Sequence, residues 1–187
     1  MLVISCHADT GFPTQRLARD GDRYRGHLDN FAGVFAVMRA YFSGELPAAG
    51  VRIELTEGEE TDMSGARRVA ETLSPGDVVI VVDVTGAETA ADFTIEKCRE
   101  PGLRRLLEAA LAGLDYDLYD DCPDPISATD ESDVYSETCP WTCFLGIPVG
   151  GGDYNLEEVV CREASLAAAA AALIRIARAA GGDRPAG

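Results

Sequence analysis

Apolar and polar positions in this chain alternate between two repeats. Leu2 to Cys6 is a short, mostly apolar run that reads as a buried strand ending at His7. Gly11 to His27 is polar and reads as a loop. From Asp29 to Phe42 the repeat becomes helical, with Phe31, Val34, Phe35, Met38 and Phe42 on one expected core face. Val51 to Thr56 alternates as a strand does, and Thr61 to Leu73 returns to a helical repeat. Ser74-Pro75-Gly76-Asp77 is a turn. After it, Val78 to Val82 is unbroken apolar, the mark of a strand covered on both faces, within an element from Asp77 to Val84.

Farther on, Phe93 to Ile95 reads as a strand, and Pro101 to Gly113 as a helix opened by a proline in its first turn. Asp115 to Pro125 is acidic and irregular. Thr142 to Val149 is expected as a last strand and Leu156 to Ala180 as one long closing helix. Strands alternating with helices predict an α/β three-layer sandwich with a mostly parallel, mixed central sheet. At 187 residues, with no internal repeat or linker, the chain is expected to form a single domain over residues 1–187.

Charge narrows the partners. The chain has 32 acidic residues against 16 basic ones, a formal net charge of -16, so nucleic acid and anionic membrane surfaces are disfavoured. No apolar stretch is expected to span a membrane, because Arg175 and Arg178 interrupt the Ala-rich tail. Met1 leads into Leu2-Val3-Ile4 without a basic leader or cleavage site, and the six cysteines form no redox motif, so a reducing cytoplasm is expected. Histidine is limited to His7 and His27, which excludes a site built on three imidazoles of this chain.

Four segments carry candidate chemistry, each at an expected strand end or helix start, where open α/β sheets place ligands. In His7-Ala8-Asp9, side chains two apart on extended backbone share a side, so Asp9 is placed to orient His7. Asp29, ahead of Asn30 and Gly33, reads either as a helix N-cap or as a carboxylate bridging two cations. Glu59 and Glu60 follow a strand; as neighbours they are ordinary in so acidic a chain, or one ligates metal while the other serves as general base. Asp83 ends an apolar strand, where an unpaired carboxylate is costly to desolvate.

The order His-x-Asp, Asp-Asn-x-x-Gly, Glu-Glu and strand-end Asp resembles the co-catalytic zinc exopeptidase superfamily of leucyl and tetrahedral aminopeptidases and acetylornithine deacetylase, from about Ile4 to Glu158. The resemblance implies a metal-dependent hydrolase of small peptides or acyl-amino acids. It implies that His7 and Asp83 bind one zinc, Asp29 bridges to a second, Glu60 binds the second, Glu59 is the general base and Asp9 orients His7. The bond between Asp29 and Asn30 is often cis in the aminopeptidase branch. The superfamily has a histidine ahead of its final helix, where this chain reads Gly150-Gly151-Gly152-Asp153-Tyr154-Asn155. Aligning on Glu157 puts Asp153 in that place; aligning on Glu158 puts Tyr154 there.

An aspartate there suits a harder donor set, with manganese or cobalt accepted beside one or two zinc ions. A relative that binds metal or ligand but has lost hydrolysis is the alternative reading. Thr129-Asp130-Glu131 resembles a turn that borders the site in the aminopeptidase branch, and reads otherwise as a capped helix start. The chain also lacks room for the lid domain of the deacetylase branch. Substrate identity and oligomeric state are left open.

Overall fold

In the computed structural model, residues 1–181 are described. In chain order the elements are β1 (Leu2–His7), β2 (Leu17–Asp20), β3 (Arg23–Gly26), α1 (Phe31–Phe42), β4 (Val51–Thr56), α2 (Ser64–Ala70) and β5 (Val78–Thr85). They continue with β6 (Phe93–Glu96), α3 (Pro101–Ala110), β7 (Tyr116–Leu118), α4 (Glu131–Ser136), β8 (Thr142–Gly150), β9 (Val159–Arg162) and α5 (Glu163–Gly181). One mixed sheet runs in the order β2-β3-β9-β8-β5-β1-β4, with β6 on β8 and β7 on β6. Its centre, β4, β1, β5 and β8, is parallel, and β9, β3 and β2 continue it antiparallel.

Strand alternation divides the core into two layers. Leu2, Ile4, Val78, Ile80 and Val82 point toward α1, α3 and α5, whereas Val3, Val79 and Val81 point toward α2 and α4. The expected three-layer α/β sandwich is therefore the observed fold.

Four expectations change, the first being that the stretch from Asp115 to Pro125, expected to be irregular, opens with β7 paired on β6. Gly11 to His27 contains the hairpin β2–β3; its exposed, Arg-rich strands carry no buried face to announce them, and Gly21, at a φ of 59°, makes the tight turn. The expected helix from Leu156 is interrupted, since Val159 to Arg162 pairs with β3 and β8 before α5 begins. The β-branched pair Val159-Val160 carries that strand.

Helix α1 is also rotated from its expected face. Ala32, Gly33, Ala36, Val37 and Ala40 are buried, while Phe31 and Phe35 are 38% exposed and Phe42 75% exposed. Small residues let α1 lie close against the Ala-rich face of α5, where phenylalanines would hold the helices apart. By length and composition α5 meets the criterion for a membrane span despite its arginines, but Leu166, Ala169, Leu173, Ile176 and Ala177 are buried in the core. The six cysteines are free, and all except Cys122 are buried.

Gly146 on β8 marks the tightest packing near the sheet centre. A Cβ there would meet Thr94 Oγ1 at 2.3 Å and Glu96 Oε1 at 2.7 Å. Gly146→Ala is expected to destabilise the fold by about 1–3 kcal/mol, read as a lowered urea midpoint at unchanged m-value.

Candidate metal centre

The parallel register brings the first chemical groups together. Leu2 pairs with Val78 and Ser5 with Val81, so two residues farther along, His7 at the end of β1 lies beside Asp83 on β5. Both follow the parity of Ser5 and Val81 and project to the same side. His7 Nε2 is 3.1 Å from Asp83 Oδ2 and 3.2 Å from Asp29 Oδ1. Asp9, two residues past the strand, places Oδ1 3.5 Å from His7 Nδ1, and its Oδ2 accepts from Gly58 N at 3.0 Å.

Asp29 is held by its neighbour. Asn30, not Asp29, is the N-cap of α1: its Oδ1 accepts from Gly33 N, and its Nδ2 donates to Val82 O, each at 2.9 Å. The Asp29-Asn30 peptide is cis. A Cβ on Gly33 would lie 2.2 Å from Asn30 Oδ1, so the glycine of Asp-Asn-x-x-Gly clears the cap. The Asp29 carboxylate is thereby left free to face His7.

Glu59 and Glu60 sit on the turn after β4. Each brings a carboxylate oxygen into a group with a His7 ring nitrogen in which all atoms lie within 4.8 Å of one another, as do those of His7, Asp29 and Asp83. Glu60 Oε1 also accepts from Gly11 N at 2.9 Å.

Four buried atoms here, His7 Nδ1, His7 Nε2, Asp9 Oδ1 and Asp29 Oδ1, lack a hydrogen-bond partner. Buried polar atoms are nearly always satisfied, so the orphaned His7 Nε2 and Asp29 Oδ1, facing each other beside Asp83, fit a cation between them, while His7 Nδ1 and Asp9 Oδ1 face each other on the other side of the ring. The donor set of imidazole and carboxylates suits zinc.

Asp153 is not part of this group. Its Oδ1 accepts from Asn155 N at 3.0 Å, and its backbone N donates to Glu157 Oε2 at 3.3 Å, so it closes its own turn. Tyr154 lines the cleft instead, together with Asp29, Glu59, Asp83, Glu96 and Asp124. Its hydroxyl donates to Asp124 Oδ2 at 2.8 Å. Burial first, then Asp124, pushes the phenol far above its ordinary pKa, so in the metal-free protein Tyr154 is a neutral donor. His27 does not substitute for the last histidine, since it stacks on Phe12 with its Nδ1 2.9 Å from Thr14 O.

Glu96 and Asp124 are cleft residues that sequence reasoning passed over. Glu96 ends the apolar β6, much as Asp83 stands near the end of the apolar β5, and that shared signal was available. Asp124 lies in the irregular acidic stretch and had none. Asp130 caps α4 through a capping box, as expected for a helix start, and Glu131 turns inward to accept from Ser5 Oγ at 2.9 Å.

Residues 1–140 match peptidase family M28. The chain belongs to peptidase family M28. Among solved structures, the M28 chain resembles an aminopeptidase from the archaeon Desulfurococcus kamchatkensis, with a TM-score of 0.70 at 19% identity, over 88% of this chain and 51% of that one. It resembles the TET1 peptidase of Pyrococcus horikoshii, which assembles into a tetrahedron or a large octahedral shell, with a TM-score of 0.68 at 17% identity, over 87% and 52%. An M18-family aminopeptidase from Thermotoga maritima follows, with a TM-score of 0.65 at 13% identity, over 88% and 48%. The chain thus spans about half the length of these proteins, and the likeness establishes the zinc-aminopeptidase fold. A comparison with curated protein sequences finds no match.

The electrostatics of the M28 cluster are those of acids crowded out of water. Burial opposes a charge on His7, but Asp83 and Asp29 outweigh it and hold the imidazole up to about 12. Burial raises Glu59 to about 8, with Asp83, Asp29 and Glu60 adding to it and His7 opposing. Burial likewise raises Asp83 to about 7 against the pull of His7, and it raises Glu60.

All three numbered shifts have one sign for stability. Between the ordinary carboxylate range and about pH 8, the folded protein holds protons on Glu59 and Asp83 that the unfolded chain releases, and above the ordinary histidine pKa His7 adds another. Metal-free protein is therefore expected to lose stability as pH rises from about 5 to 8. Saturating zinc should raise the Tm more at pH 8 than at pH 6, because bound metal displaces those protons. Thermal unfolding in chelator and in zinc, at both pH values, reads this directly.

Proposed function

We propose that this M28 chain is a metal-dependent hydrolase of the aminopeptidase or acyl-amino-acid deacylase type. The observation that carries the reading is the pair of orphaned buried atoms His7 Nε2 and Asp29 Oδ1, facing each other beside Asp83, with the Glu59-Glu60 pair within reach of the same ring. His7 Nε2, Asp29 and Asp83 would hold one divalent cation, and Glu60 with Asp29 would offer a weaker second position. Bound there, the cation supplies Lewis acidity toward a scissile carbonyl and toward an attacking water.

The chain's own residues do the rest. Asp9, whose Oδ1 lies 3.5 Å from His7 Nδ1, would accept from Nδ1–H and keep Nε2 as the inward-facing donor atom. Glu59, protonated near neutral pH while no cation is bound, would act in its ionised form once positive charge is present, accepting the proton of the attacking water and delivering it to the leaving amine. Glu96, Asp124 and Asp130 make the cleft wall acidic, which suits a substrate with a free α-ammonium group and favours the aminopeptidase form. Zinc is the proposed ion, with manganese or cobalt acceptable to so oxygen-rich a donor set.

A second reading is favoured by Tyr154. A neutral phenol committed to Asp124 stands beside the cluster, and neither histidine supplies a final ligand. A relative that binds one metal ion and no longer hydrolyses would have this arrangement.

Metal analysis after zinc reconstitution is expected to give one tightly held ion per chain, lost in Asp83→Asn. Against a panel of aminoacyl and acyl-amino-acid amides, Glu59→Gln is expected to lower kcat by about 10²–10⁴-fold while zinc content is unchanged. Bound zinc with every substrate inert would establish the second reading. No bound metal would refute both.

A further inference from the structure

We propose that two copies of this chain pair through the open edge of β2, extending the sheet across a two-fold axis. β2 ends one side of the sheet, as β4 ends the other, and all four of its residues are exposed. Inside the hairpin Arg16 O accepts from His27 N at 3.1 Å, and inward and outward backbone groups alternate along an antiparallel strand. Leu17 and Arg19 consequently turn their N–H and C=O groups toward the open edge. Such an edge is a template for another strand; β2 is short and carries Arg19 and Asp20, which blunt it toward unmatched strands, but among the described residues no proline within it, bulge or covering segment closes it.

The surface beside the edge is apolar. A groove of about 280 Å³ between the hairpin and α1 is lined by Leu17, Tyr24, Leu28, Phe31, Phe35 and Leu166. This is the phenylalanine face that α1 turned away from the core. Pairing about an axis perpendicular to the sheet puts both copies of α1 on one side of the joined sheet, so Leu17, Phe31 and Phe35 of each approach those of the other. A contiguous apolar patch of this kind marks an interaction surface.

Charge chooses a second copy as the occupant and fixes its register. Two chains of net charge -16 repel over most of their surfaces, but at this hairpin the arginines offset that charge locally, with Arg16 and Arg25 beside Glu158 and Arg19 paired with Glu163 of the same chain, so two copies of the edge meet without the bulk repulsion. Hydrogen-bonded pairs across the axis must use Leu17 and Arg19. Centring the axis on Ala18 makes Leu17 pair with Arg19 of the other copy, sets the small Ala18 residues opposite each other, and places Arg16 opposite Asp20 twice. Centring it on Arg19 would oppose two arginines. Opposite charges across a pair stabilise it and like charges destabilise it, so the sequence Arg16-Leu17-Ala18-Arg19-Asp20 is complementary to itself in the first register.

Sedimentation velocity between about 1 and 100 µM should give a dimer whose Kd is weakened about tenfold or more in either Arg16→Asp or Asp20→Arg. Each variant opposes like charges twice. The double variant Arg16→Asp, Asp20→Arg should restore dimerisation. An equimolar mixture of the two single variants should also restore it, because the two acids on the strand of one variant then face the two arginines at the matching positions of the other, and this outcome shows that both fold. A monomer throughout the concentration range, or an oligomer whose Kd none of these substitutions changes, would overturn the proposal.

Discussion

Carboxylates concentrated around one buried imidazole are the constraint on which the site depends. His7 is 1% exposed, and Asp29 and Asp83 approach the same ring nitrogen from two elements. Holding several acids out of water costs several kcal/mol for each ionised group unless positive charge is near. A protonated His7 supplies one unit of that charge, and a divalent cation would supply more. Burial first, and the neighbouring acids after it, raise Glu59, Glu60 and Asp83 together.

The surrounding structure keeps the acids from relaxing into solvent. Asn30 fastens the start of α1 to Val82 next to Asp83, and Asp9 is tied to Gly58 on the loop that carries Glu59 and Glu60. Behind His7, Ser5 and Thr56 both donate to the buried Glu131, and the Tyr135 hydroxyl lies 2.8 Å from Ser5 Oγ. The single lysine has a structural place in this scheme. Lys97 Nζ donates to Asp130, Asp133 and the carbonyl of Ala128, which pins the segment leading into α4 against the cleft. Strands β1 and β5 supply positions, while these side chains supply orientation.

Much of this was legible in the order of residues alone. Apolar runs located β1, β5 and β8 and alternation located β4, and the order of His7, Asp29, Glu59-Glu60 and Asp83 indicated both the fold and the residues that converge. Asp83 could be picked out because an acid ending an apolar strand has few uses apart from pairing or ligation. What escaped was structure without a buried face or with two possible ones. The β2–β3 hairpin is exposed on every residue of β2, so no alternation marks it. Helix α1 is apolar nearly all round, and its repeat could not say that the alanine side, not the phenylalanine side, would meet α5.

The sequence by itself determined the supply of chemistry: one imidazole in a strand-end position, a limited set of acids at strand ends and turns, and the absence of a histidine ahead of α5. These are properties of residue type and local order, which a linear reading captures. The tertiary structure decided which of them share a space. Asp153 and Tyr154 are adjacent in the chain, yet the turn directs Asp153 to Asn155 and Glu157 and leaves Tyr154 to line the cleft. Glu96 joins that cleft because β6 packs on β8. Proximity across strands depends on register and on the rotation of helices. Both are set by long-range packing that neighbouring residues in sequence do not encode.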